Sequence, residues 1–197
     1  EFDNVEVMSV ESIGLLKDGK WIIVNYNGIE SVLSESTFSS ELGSGLIKVK
    51  QGDYWMINDN NGKVIIESKF QQITKCGDGY IKIKKDDYFG IINTRGEWIA
   101  HPLYEECGDF SEGLLRVKRS GLWSYIDSSG TESLKTDFKW VGDFHNGRAK
   151  VRSGTQFGYI DKSGKIVIEV QFDGASDFQG GFASVNKGGK EQLFIVK

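Results

Sequence analysis

The chain repeats itself every 34 residues, and that period limits its possible folds more than any other feature. Gly28, Gly62, Gly96, Gly130 and Gly164 share one register; Gly45, Gly79, Gly113, Gly147 and Gly181 share another. An aromatic column runs through Trp21, Trp55, Phe89, Trp123 and Phe157. Apolar columns run through Ile47, Ile81, Leu115, Ala149 and Ala183, and two residues later through Val49, Ile83, Val117, Val151 and Val185. Two more hold Phe70, Tyr104, Phe138 and Phe172, with Ser36 as the outlier, and Leu42, Cys76, Phe110, Phe144 and Phe178. Residues 21–190 contain five uninterrupted periods. Residues 1–20 read as a half repeat, in which Ile13 and Leu15 continue the apolar columns, and 191–197 as a partial one. A unit this short cannot bury its apolar side alone, so neighbouring copies must bury one another's.

Within a period the spacing is that of strands. Arg148-Ala149-Lys150-Val151-Arg152 alternates polar and apolar residues with period two, the pattern of a half-buried strand. Phe157–Ile160 and Lys165–Ile168 read as two more, joined by Asp161-Lys162-Ser163-Gly164. The first position of that turn is Asn25, Asp59, Asn93, Asp127 or Asp161, and the fourth is always Gly. An Asx side chain bonds the backbone two residues on, and Gly accepts positive φ, so the pattern suits a type I turn closing a hairpin. Trp123 and Tyr125 share one face and Ile126 takes the other, as in a central strand covered on both sides. The segment after the third strand reads as an irregular link. The expected fold is all-β: one domain over 1–197, with tandem repeats of about three short antiparallel strands in an open solenoid-like stack. A closed propeller-like ring is the alternative.

The segments Phe157-Gly158-Tyr159-Ile160-Asp161-Lys162-Ser163-Gly164, Phe172-Asp173 and Phe178-Gln179-Gly180-Gly181-Phe182-Ala183-Ser184-Val185 resemble the WG-repeat (KWG) family of bacterial proteins. Residues 122–151 match nearly as well, with Ser124 replacing a Gly, and the pattern decays towards Trp55-Met56 and Trp21-Ile22. The resemblance implies repeated β modules, often attached to other domains, and no shared reaction.

Composition removes several function classes. With 24 Lys+Arg against 28 Asp+Glu, the net charge is -4, which argues against nucleic acid as a partner. Cys76 and Cys107 make no disulfide framework, and both registers predict buried, inert thiols. The two histidines have no metal-ligand spacing, and no phosphate loop or paired-carboxylate motif appears, so no metal, cofactor or catalytic residue is expected. No apolar run is long enough for a membrane helix. The start at Glu1-Phe2-Asp3, without Met, reads as a fragment or processed chain, so the compartment stays open.

Two sets of residues are candidate binding groups. The positions taken as outward on the strand before the aromatic are Lys48 and Lys50, Lys82 and Lys84, Arg116 and Lys118, Lys150 and Arg152. Such a basic ridge suits an acidic protein surface or anionic polymer. Trp98 and Trp140, with Tyr26 and Phe182, stand outside the recurring columns and suit stacking on a sugar ring. Recurring Asp59, Asp127 and Asp161 read as turn residues, and Asp109, Asp143 and Asp177 as solvated loop acids. His101 and His145 show no nucleophile partner in the sequence. The function expected is non-catalytic protein–protein binding or scaffolding; the alternative is a carbohydrate or cell-envelope binding module.

Overall fold

A computed structural model describes residues 2–9, 12–18, 20–25, 28, 30–33, 36–59, 61–77 and 79–195; Tyr26 lies outside them. Every regular element among them is a strand. The first sheet contains β1 (Asn4–Ser9), β2 (Ser12–Lys17), β3 (Lys20–Asn25) and β4 (Glu30–Leu33). The second contains β5 (Ser36–Gly43), β6 (Leu46–Gln51), β7 (Tyr54–Asp59) and β8 (Val64–Phe70). The third has β9 (Gln72–Lys75), β10 (Tyr80–Lys85), β11 (Tyr88–Asn93) and β12 (Trp98–Tyr104). The fourth has β13 (Glu106–Cys107), β14 (Leu114–Arg119), β15 (Leu122–Asp127) and β16 (Glu132–Lys135). The fifth has β17 (Trp140–His145), β18 (Arg148–Ser153), β19 (Gln156–Asp161) and β20 (Ile166–Phe172). The sixth has three strands, β21 (Gly174–Ala175), β22 (Phe182–Lys187) and β23 (Lys190–Ile195). Each is an antiparallel meander of sequence neighbours, and none is closed into a barrel.

Two details differ from the sequence reading. The link expected to be irregular supplies a short strand of its own, so a full sheet has four strands. The half repeat at the start is not a fragment of a sheet: β1 and β2 complete the first sheet with β3 and β4. A periodic sequence fixes the spacing of its parts and leaves the starting point free; here each sheet starts at the link.

The turns follow the Asx-x-x-Gly reasoning. The Asp127 carboxylate accepts from the backbone N–H groups of Ser129 at 2.8 Å and Thr131 at 3.1 Å. Gly130 N–H donates to Asp127 O at 3.0 Å, with Gly130 at φ +81°. Asp59, Asn93 and Asp161 repeat this arrangement. It is a type I turn closed by a left-handed glycine, the usual three-residue hairpin.

The chain divides into two compact units, residues 1–102 and 103–197. In each, the columns become the packing between consecutive sheets. One side of a sheet, its forward face, carries the aromatic column; the other, the rear face, carries the Ile/Leu/Ala and Val columns. In unit 1, Leu16 and Trp21 of the first sheet pack on Ile47 and Val49 of the second. Trp55, Ile57 and Phe70 of the second pack on Ile73, Ile81 and Ile83 of the third. In unit 2, Trp123, Tyr125 and Leu134 of the fourth meet Val141, Ala149 and Val151 of the fifth. Tyr159 and Phe172 of the fifth meet Ala183 and Val185 of the sixth. Burial of these apolar faces, roughly 25 cal/mol per Å² removed from water, is the main stabilising contribution. Cys76 is buried, but Cys107 is only half-buried, a correction to its expected burial: it lies on the two-residue strand β13, too short to cover its face fully.

Candidate binding surface

The eight cations of the expected ridge do lie at two registers of equivalent strands, but seven of them, all except the exposed Arg152, are half-buried and do not stand in open water. Lys48 pairs across the sheet with Ile57, Lys82 with Ile91, Arg116 with Tyr125 and Lys150 with Tyr159. These partners are completely or almost completely buried, so the cations belong to the forward packing face. The outward assignment is therefore corrected. Strand alternation separates two faces without saying which is wet, and here both are packed. The long stems lie along that face and deliver their charge to its margin.

There the charges meet partners. Lys48 Nζ donates to Ile73 O at 3.3 Å, Arg116 to Val141 O at 3.0 Å and Lys150 to Ala175 O at 3.1 Å, each reaching the next sheet. Arg116 also pairs with Asp143 at 2.8 Å and Lys150 with Asp177 at 3.2 Å. These acids are ion-pair partners, where the sequence reading had solvated loop residues. Lys84 pairs with Asp87 at 2.9 Å, and Lys118 with Glu106 at 2.7 Å, whose hydrogen bond raises the lysine's pKa. In the second register Lys50, Lys84, Lys118 and Arg152 sit directly across from Trp55, Phe89, Trp123 and Phe157. Lys50 lies 6.0 Å from the Trp55 ring, Lys84 5.8 Å from Phe89 and Lys118 5.7 Å from Trp123, at the outer range of cation–π attraction. Arg152 is exposed.

The two off-register tryptophans also have partners. Trp98 is half-buried against the unit 1 core and stacks on His101 at 4.7 Å. Trp140 meets Phe157 edge-on at 6.4 Å, with Arg116 and Lys150 5.8 and 5.7 Å from its ring centre. His145 lies on the wall of an open cleft of about 610 Å³ in unit 2, with Ser176, Asp177, Gln179 and Phe182 among its neighbours. No local pattern announces that grouping, because the link carrying Ser176 and Asp177 is 31 or more residues away from His145 in the chain. Ser176 Oγ donates to Asp177 O at 3.0 Å and accepts from Ser184 N–H at 3.0 Å, while Asp177 pairs with Lys150. Two tyrosine hydroxyls add polar contacts between sheets. Tyr125 donates to Gly142 O and Tyr159 to Ser176 O, each at 2.6 Å. Burial raises both tyrosines' pKa, that of Tyr159 to about 12.

A further recurring surface feature was not singled out from the sequence. Tyr54, Tyr88 and Leu122 pair with Gln51, Lys85 and Arg119 to close the tight hairpin between the second and third strands of their sheets. All three are exposed, and the same register holds Gln156 and Lys190 in later repeats. The 34-residue spacing was visible; adjacency to the aromatic core column hid it. Among the described residues, no cluster of His, Cys, Asp or Glu could hold a metal ion, and no helix is long and apolar enough to cross a membrane.

Likenesses to solved structures are distant. Hsv2 of K. marxianus is 14% identical, with a TM-score of 0.47 over 98% of this chain and 75% of that one. The extracellular domain of BT4673 from B. thetaiotaomicron is 11% identical, with a TM-score of 0.40 over 98% of this chain and 33% of the other. YCF48, in a structure with a D1 peptide bound, is 11% identical, with a TM-score of 0.40 over 100% of this chain and 79% of the other. No curated protein matches. Residues 56–89, 89–123, 123–154 and 157–190 each match the WG containing repeat, one after another. Those four segments cover more than half of the chain and keep the period that sets its sheets, so this protein belongs to the family of the WG containing repeat.

Proposed function

We propose that this domain is a non-catalytic module that binds another protein, with the exposed hairpin residues Tyr54, Tyr88 and Leu122 as primary contacts. The supporting observation is their repetition. A residue closing a two-residue hairpin at a sheet margin has no packing need to be large and apolar, as Gln156 and Lys190 demonstrate at the same register. Three successive copies nevertheless carry one in water. Recurring exposed apolar groups beside charged ones suit a protein surface; Lys69 Nζ lies 5.3 Å from the Tyr54 ring. The ridge contributes in a secondary way, through exposed Arg152, because most of its cations already have partners.

Two observations count against catalysis and sugar stacking. In the cleft, the Ser176 hydroxyl donates to a backbone carbonyl and Asp177 pairs with Lys150 rather than with an imidazole, whereas a nucleophile relay would direct the hydroxyl to a base. The rings of Trp98 and Trp140 are engaged by His101 and by cations, so a sugar would have to displace these groups.

The test is affinity capture from host extract by the wild-type chain and by the triple variant Tyr54→Ser, Tyr88→Ser, Leu122→Ser, with unchanged circular dichroism as the folding control. A protein held by the wild type and lost by the triple variant supports this reading. Equal capture by both overturns it. Glycan binding lost in Trp140→Ala would put the carbohydrate reading in its place.

A further inference from the structure

The first and the sixth sheet each leave a packing face exposed, and the two faces are the two halves of the interface the chain uses within each unit. Leu193 on β23 stands in the register of Ile57, Ile91, Tyr125 and Tyr159. Those four are 0, 0, 0 and 1% exposed; Leu193 is 64% exposed. It pairs with Ser184, and Phe182 two residues earlier on the same face is exposed too. On the first sheet, Ile13 occupies the register of Ile47, Ile81, Leu115, Ala149 and Ala183, all 0–2% exposed, yet is 38% exposed itself. Val5 on β1 is 58% exposed where Ile73 and Val141, in its register, are 2% and 0%.

Wherever consecutive sheets pack within a unit, a forward face of the Leu193 type covers a rear face of the Ile13 type. The sixth sheet offers a forward face and the first sheet a rear face. Charge agrees as well. The cation that reaches the next sheet at Lys150 is replaced by Ser184, and the charge that this face carries in the aromatic register is Glu191, which is exposed.

We infer that the occupant of each face is a second copy of this chain, docked head to tail, the Leu193–Phe182 face of one copy on the Ile13–Val5 face of the next. Such a contact is heterologous, using two different patches, and therefore propagates or closes into a ring of copies. It is independent of the hairpin residues assigned to the protein partner.

Single variants and their mixture test this. The wild-type 197-residue chain should show a mass in sedimentation equilibrium that rises with concentration beyond a dimer. Leu193→Asp and Ile13→Asp should each weaken association about tenfold or more, because either buries a charge against an apolar face. Mixed in equal amounts, they should form a dimer and nothing larger, since each copy then retains the face its partner needs. Both positions are exposed, so unchanged melting temperatures of the variants confirm folding. A wild type that stays monomeric into the hundreds of micromolar, about the range of a weak contact, overturns the inference. So does a mixture that fails to dimerise, which would mean a like-with-like interface. An oxidised Ile13→Cys, Leu193→Cys double variant that crosslinks only within single chains would overturn it as well.

Discussion

Units 1 and 2 fill the same register with different chemistry. Unit 1 places Ile57 and Ile91 where unit 2 places Tyr125 and Tyr159. All four are buried, but only the tyrosines carry a hydroxyl to a backbone carbonyl of the following sheet. The cations differ in parallel. Lys48 in unit 1 reaches a carbonyl and lies 4.9 Å from the Trp55 ring. Arg116 and Lys150 in unit 2 reach equivalent carbonyls and also an aspartate each. The register that holds Ile57 and Tyr125 can thus be filled by apolar volume alone or by apolar volume with a hydroxyl tie, and what the period preserves there is shape. A polar tie also fixes alignment, because a hydroxyl has to face its carbonyl, whereas isoleucines tolerate a small slide.

Removing volume should do the most damage. Ile57→Ala leaves a cavity in the unit 1 core and should cost about 3–4 kcal/mol in urea unfolding; a loss below that of Tyr125→Phe would mean that unit 1 does not depend on volume. Next come the turns. Gly130→Val forces a branched residue to φ +81° and should cost about 2–3 kcal/mol, more than Lys150→Ala. Gly96→Val in unit 1 should be worse still, because the new Cβ would come within 2.6 Å of Ile65 Cγ2. Equal melting temperatures for Gly130→Val and Lys150→Ala would count against the turn assignment.

The polar ties come third. Tyr125→Phe should cost about 1–2 kcal/mol, by leaving the Gly142 carbonyl without its donor. The same tyrosines make unit 2 alkali-sensitive. Their folded-state pKa values lie above the unfolded value, so the stabilisation is complete below about pH 10 and is lost as pH rises through the folded values. Amide exchange with rising pH should open unit 2 first, and Tyr125→Phe with Tyr159→Phe should flatten that dependence. The smallest effect runs the other way. Asn58 is buried where other repeats carry Ile92, Ile126 and Ile160, and its Oδ1 finds no partner. Asn58→Ile should stabilise by about 1 kcal/mol; a lower melting temperature would show that its bond to Gly62 O matters more.

Most of the architecture could be read from the sequence because register repeats, and a column of Val49, Ile83, Val117, Val151 and Val185 has few explanations other than a shared buried position. The Asx turns were legible because Asp127 and Gly130 act within five residues. Strand count was not, since β13 and β21 are two residues long and owe their pairing to β14 and β22 rather than to a pattern of their own. The ridge misled for a related reason. Lys150 looks like a solvent residue in a one-strand view, and only the neighbouring strand and the segment leading into the next sheet reveal that Tyr159 and Asp177 flank it. Contacts such as Arg116 with Val141 O span 25 residues, beyond any local signal.

Because each sheet is a meander of sequence neighbours, no strand waits for a distant part of the chain before it can pair. A ribosome making this protein therefore releases a completable sheet about every 34 residues, and within a unit each new one finds the exposed face of its predecessor already formed. Short-range pairing of this kind favours rapid folding during synthesis. It also means that a gene can lengthen or shorten the protein by whole periods without redesigning what remains.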